Sequence, residues 1–194
     1  MGRFTEQQTN QLALLTFFIS TTLGAIAALG PFSPSGSPTG FRLFSLHPLF
    51  LMCGLGSFVM GKLYKTLGGY HNTKLHGNLS VIGSLFVSTG VYAIYQNKES
   101  IGKPHFTSTH SQYALCILAL CFLLFLNGLF GLHPDWGKVK TNKNIRFVHH
   151  WAGKLLIVGM SAVCWTGSYK IIAGEHIYLS FGAPLGLFAA LGLA

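Results

Sequence analysis

The chain has 194 residues, half of them apolar and only 9% charged, with a formal charge of +9 and a mean hydropathy of +0.48. Soluble domains carry about 25% charged residues, so this composition excludes an ordinary water-soluble domain and points to lipid as the solvent. The basic residues sit in short gaps between apolar runs and form no basic domain, which argues against a nucleic-acid partner.

A spanning helix needs about 20 mostly apolar residues. Six runs meet or approach that length: Leu12–Leu29, Phe44–Leu63, His76–Tyr95, Gln112–Gly131, Phe147–Tyr169 and Ile177–Ala194. The first stands where a signal peptide would, but Arg3 and Glu6 precede it and no small-residue cleavage site follows, so a retained helix is expected. Gly30–Gly40 is a Pro/Gly/Ser turn region. The gaps are too short for a soluble domain. Residues 1–194 are therefore expected to form a single all-α domain, a six-helix transmembrane bundle. Cys53, Cys116, Cys121 and Cys164 all fall inside apolar runs without zinc spacing and read as packing residues.

The N-terminus and the second and fourth gaps carry Arg3, Lys62, Lys65, Lys74, Lys138, Lys140, Lys143 and Arg146. The opposite gaps carry Arg42, Lys98, Lys103 and Lys170. The positive-inside rule predicts a multi-pass integral membrane protein with a cytoplasmic N-terminus.

Four of the nine histidines stand at or near the starts of the second to fifth runs: His47, His76, His110 and His149, with steps of 29, 34 and 39 residues. Each step crosses the membrane once. Parity therefore puts His47 and His110 near one face and His76 and His149 near the other. Ionisable groups inside a membrane are costly and are functional candidates by default. Two facing neutral imidazoles suit the axial positions of haem iron, whereas zinc wants about four ligands at one point. His47, Gly54 and Gly61 are seven apart, as are His76, Gly83 and Gly90, so a glycine stripe runs along each face for a macrocycle or a neighbouring helix. Of the adjacent His149 and His150, only one can serve a given iron. His149 is favoured because Gly153 lies four residues on, on its face.

These residues resemble the cytochrome b561 family over nearly the whole chain, most closely its small stand-alone domain-containing members. The likeness is carried by Phe44-Ser45-Leu46-His47-Pro48, Lys74-Leu75-His76-Gly77, Phe106-Thr107-Ser108-Thr109-His110-Ser111 with the Gly102-Lys103-Pro104-His105 approach, and His149-His150-Trp151-Ala152-Gly153-Lys154. The resemblance implies a four-helix di-haem core with two haem b groups, His47 paired with His110 and His76 with His149. It implies an oxidoreductase taking electrons from cytoplasmic ascorbate, or a similar small anionic reductant, and passing them to monodehydroascorbate or ferric iron across the membrane. The family's ascorbate-binding lysine often lies three residues before the third-helix histidine; here that position is Thr73, and Lys74 lies two before.

Lys74, the best single candidate for the reductant, joins Lys62, Lys65 and Arg146 in a basic cup. Lys154 lies within the fifth span, where a bare lysine costs about 2.5–3.5 kcal/mol at the centre. It is expected to pair with a haem propionate or to snorkel. His105 is a candidate for the acceptor side. His71, His133 and His176 read as loop residues, and Asn127 as a polar group bonding a neighbouring helix. The expected electron route runs from a reductant near Lys74, through the His76/His149 pair to the His47/His110 pair, and out near His105. The rival readings are a small haem-bearing or structural subunit of a larger membrane redox complex, and a transporter or channel. Lipid is the surrounding medium, and homodimer or larger complex stays open.

Overall fold

The structure, a computed structural model, describes residues 4–29, 42–168 and 175–193. Arg3, Gly30–Gly40 and Lys170 lie outside the described residues, as does the side chain of His176. Six helices follow in chain order: α1 Glu6–Leu29, α2 Leu46–Thr66, α3 Gly69–Ser100, α4 Thr109–Leu126, α5 Lys143–Ser168 and α6 Glu175–Leu193. A short 3₁₀ turn, Leu43–Ser45, leads into α2, and a π turn, Asn127–Leu132, prolongs α4. Helices satisfy their own backbone groups, which lipid cannot do. The first five helical stretches are long and apolar enough to cross a membrane, and the described side chains of α6 cover a shorter apolar stretch, Gly182–Leu193.

The helices overrun the apolar runs. α3 has 32 residues, about 48 Å at 1.5 Å per residue, against a hydrocarbon core about 30 Å thick. Its projecting ends put Lys74 and Lys98 on helix, where the sequence reading had gaps; Lys62 and Lys65 likewise belong to α2, and Lys143 and Arg146 to α5. His71 and His176 stand in the first turns of α3 and α6 and are not loop residues.

Local chemistry sets the boundaries. Gly68 and Gly69 adopt φ of 74° and 80°, which only glycine takes up readily, so α2 reverses into α3 within a few residues. Ser108 caps α4 in a capping box with Ser111. Asn142 Oδ1 accepts from the backbone N–H groups of Asn144 and Ile145 at 3.0 and 3.1 Å and starts α5.

α2 is the centre of the bundle, packed against α1, α3, α5 and α6. α1 presents a stripe of mostly small buried residues (Thr9, Ala13, Thr16, Ser20, Gly24, Ala27), and Gly24 lets its backbone approach that of Leu49 in α2. Between α2 and α3 the same device recurs: a Cβ at Gly54 would stand 3.1 Å from the Gly83 carbonyl, and one at Gly83 would stand 3.2 Å from the Gly54 carbonyl. The glycine stripes thus seat α2 on α3, not a flat ligand on either helix. Within lipid such contacts act through dispersion and close fit, because helices gain little from leaving equally apolar tails. The shared core gathers Leu55, Val59 and Leu63 from α2, Val87 from α3, Cys121 from α4, Ile157 from α5 and Phe188 from α6.

Candidate haem and electron-transfer sites

Antiparallel connection puts the starts of α2 and α4 at one end of the bundle and the starts of α3 and α5 at the other. His47 and His110 line one cavity of about 390 Å³. Its walls are apolar, from Leu51, Met52, Val87, Val91 and Met160, and its rim carries Lys98, His105, Thr107 and Ser108. His47 Nδ1 lies 3.0 Å from the carbonyl of Gly90 on α3. His110 Nδ1 lies 3.2 Å from Thr166 Oγ1 on α5, whose own proton goes to the Val163 carbonyl. A Cβ at Gly167 would fall 2.8 Å from His110 Cε1, so glycine is required there for the ring to fit.

At the other end His76 and His149 face each other edge to face, ring centres 6.4 Å apart and planes at 88°. Two imidazoles on opposite sides of one metal, each about 2 Å from it, would set their ring centres roughly 6 Å apart. His149 Nδ1 lies 3.0 Å from Asn127 Oδ1, so Asn127 does bond a neighbouring helix. His76 Nδ1 is buried against Gly61 and has no well-formed hydrogen bond. His150 is exposed and turned beside Trp151. Among the described residues no three His, Cys, Asp or Glu side chains gather as a metal cluster; His76 and His149 meet, and His47 and His110 share a cavity. The donor set fits haem at both ends: paired imidazoles with three of the four Nδ1 atoms engaged by protein, which leaves Nε2 for iron. At the first end an apolar slot with Lys98 at its rim also matches a flat ring bearing carboxylates.

Above His76 the polar residues form two groups. Lys74 Nζ pairs with Asp135 Oδ2 at 3.0 Å, and Tyr70 donates its hydroxyl to the same carboxylate. The Tyr70 hydrogen bond, then that of Lys74, holds the Asp135 carboxyl below the usual carboxylate range. Lys65 Nζ donates to Thr73 Oγ1 at 2.6 Å. Lys62 lies in electrostatic reach of Lys154, and Lys65 of Arg146. Among the described residues none of these four cations has a carboxylate partner. Lys154 Nζ donates to the Leu193 carbonyl at 2.6 Å and lies 5.0 Å from the Trp151 ring centre, so it caps the last turn of α6. His133, read from sequence as a loop residue, is in the loop but buried, stacked on Trp136 at 3.5 Å.

His105 stacks on Tyr95 at 4.5 Å, and its Nε2 lies 2.7 Å from Glu99 Oε1, at the rim of the first cavity. Lys98 beside it donates to the Pro104 carbonyl at 2.9 Å. Tyr95, Thr166 and Asp135 escaped the sequence reading. Only Asp135 left a trace there, as one of just four acidic residues in the chain.

The family profile described as Eukaryotic cytochrome b561 matches residues 46–173. None of the curated proteins compared with the chain matches it.

Proposed function

The chain belongs to the eukaryotic cytochrome b561 family and is an integral membrane protein of the haem b electron-transfer class; from that premise we propose that it carries electrons across the bilayer with two haem b groups, one held by His76 and His149, the other by His47 and His110. The donor is ascorbate or a similar small anionic reductant on the Lys74 side, which faces the cytoplasm with the N-terminus. The acceptor is monodehydroascorbate or ferric iron on the His105 side. Residues 1–194 act as one domain.

The observation that carries this reading is the meeting of His76 and His149, 6.4 Å apart at the end opposite the His47/His110 cavity. Haem b, when bound, supplies a one-electron iron couple. Everything else falls to side chains. His47, His110 and His149 keep their Nδ1 protons on protein acceptors, which orients the rings. The apolar walls around His47 and His110 exclude water. Lys62, Lys65 and Arg146 concentrate an anion by an uncompensated positive field. Thr73 stands where relatives often have lysine, but its hydroxyl holds the Lys65 ammonium, so α2 supplies a cation at the point where α3 has threonine. Lys98, with His105 stacked on Tyr95 beside it, offers the acceptor side a basic and aromatic rim. Lys154, tied to the last turn of α6, adds its charge to the donor side, where it would serve a propionate. Each turnover takes one electron from ascorbate, leaving monodehydroascorbate and a released proton, and delivers one electron to the far-side acceptor.

The Lys74–Asp135 pair favours a second reading in one respect, since the leading donor-side lysine is already partnered. In that reading the chain is a haem-bearing subunit of a larger redox complex without its own substrate reaction. Purified protein decides between them. Two haems per chain and full reduction by ascorbate support the proposal. Bound haem that ascorbate leaves oxidised supports the subunit, and absence of a Soret band rejects both.

A further inference from the structure

The π turn Asn127–Leu132 lies where α4 reaches the donor side. Such turns are rare and are frequent at functional sites. Here each of its polar and glycine positions is used. Asn127 Oδ1 meets His149 Nδ1 at 3.0 Å. A Cβ at Gly128 would stand 3.5 Å from His149 Cε1, in ordinary contact with the ring, and one at Gly131 would stand 3.3 Å from Asn127 Nδ2, close enough that the carboxamide would have to give way. The following loop closes the turn: the carbonyls of Leu129, Phe130 and Gly131 accept from Trp136 Nε1, Lys138 N and Val139 N at 2.9, 3.1 and 3.0 Å. The opposite ring, His76, buries its Nδ1 against Gly61 of α2 and meets no side-chain acceptor like Asn127.

We propose that this π turn is a positioning device for His149, in which Asn127 fixes the Nδ1–H tautomer and aims Nε2 at the space shared with His76. The inference rests on the haem-ligand reading of His76 and His149. A carboxamide oxygen accepting Nδ1–H makes the ring a more basic ligand, which favours the oxidised metal. Asn127 therefore governs both haem retention and midpoint potential at this end, and leaves the His47/His110 end unchanged.

The test compares wild-type protein with Asn127→Leu, Asn127→Asp and His149→Leu, reading haem per chain and both midpoint potentials by spectroelectrochemical titration. Asn127→Leu should bind haem about tenfold to a hundredfold more weakly at one site, with an upward shift in that site's potential. Asn127→Asp, which keeps an acceptor and adds charge, should retain both haems and shift the same potential downward. The proposal is overturned by a Leu variant that titrates like wild type, or by Leu and Asp variants that lose haem equally. His149→Leu tests the underlying reading separately: unchanged haem content in that variant removes the ligand assignment itself, whatever Asn127 does.

Discussion

Lys74 and Asp135 form an ion pair of 3.0 Å between α3 and the loop that follows the π turn, with Tyr70 donating to the same carboxylate. Asp135 thus sets a negative charge against the lysine that stands two residues before His76. An anionic reductant approaching Lys74 must compete with it. Asp135→Asn should lower the apparent KM for ascorbate by about twofold to fivefold, the range of an exposed pair, and the gain should fade as salt rises. Ascorbate titrations of reduction rate at low and high ionic strength check this. An unchanged or raised KM at low salt would show that the carboxylate does not compete.

The same contact has a pH dependence whose sign is set. Hydrogen bonds from Tyr70 and then Lys74 hold the Asp135 carboxyl below its ordinary value. A depressed carboxyl adds stability at pH above its unfolded value, about 4, and the stability is lost as pH falls through the lower folded value. Amide-exchange protection at Lys138 and Val139, whose N–H groups close the π turn, should therefore be level from neutral pH to about 4 and drop below it, after correction for intrinsic exchange. Asp135→Asn should abolish the step. Equal protection above and below the step in the wild type would detach the loop from the ion pair.

The histidine pairing was legible because it depends only on counting crossings: one histidine near each helix start and alternate directions bring them together in twos. Lone Asn127 was legible for a similar reason, since an amide in an apolar run must find a partner. The glycine stripes were half legible. Seven-residue spacing marks a smooth face, but whether a ring or a helix lies on it depends on the neighbouring chain, and Gly54 and Gly83 answer each other's carbonyls. Hydropathy found the apolar middle of α3 and missed its ends, because a helix continues into the headgroup region on its own hydrogen bonds after its residues turn polar. Lys74–Asp135 spans 61 residues (135 − 74), and no local period carries such a contact.

The neighbours His149 and His150 should separate cleanly. His149 faces His76 and Asn127, whereas His150 is exposed. His149→Leu should lose about half of the haem, and His150→Leu should keep both groups. Haem-to-protein ratios measure this directly, and loss of haem on substituting His150 would reverse the assignment.

Gly167 offers the matching test at the other end. Its missing Cβ is the room His110 occupies, at 2.8 Å. Gly167→Val should displace that ring and lose the haem of the His47/His110 cavity, with the His76/His149 group retained. Two intact haems in this variant would mean that His110 can be reached from another rotamer and that the packing does not position it.

Lys154 separates two roles by measurement. Its ammonium donates to the Leu193 carbonyl, where a cation at a helix C-terminus contributes about 0.3–1 kcal/mol. Lys154→Met keeps the apolar stem and removes both charge and donor. If capping is its whole contribution, melting temperature falls by a few degrees while both midpoint potentials stay where they were. If the charge also serves a propionate on the donor side, the potential of the His76/His149 site shifts downward, because a nearby cation favours the reduced, less positive iron. Lys154→Arg, which keeps the charge, should then restore the potential. A variant with unchanged potentials and unchanged melting temperature would leave neither role standing.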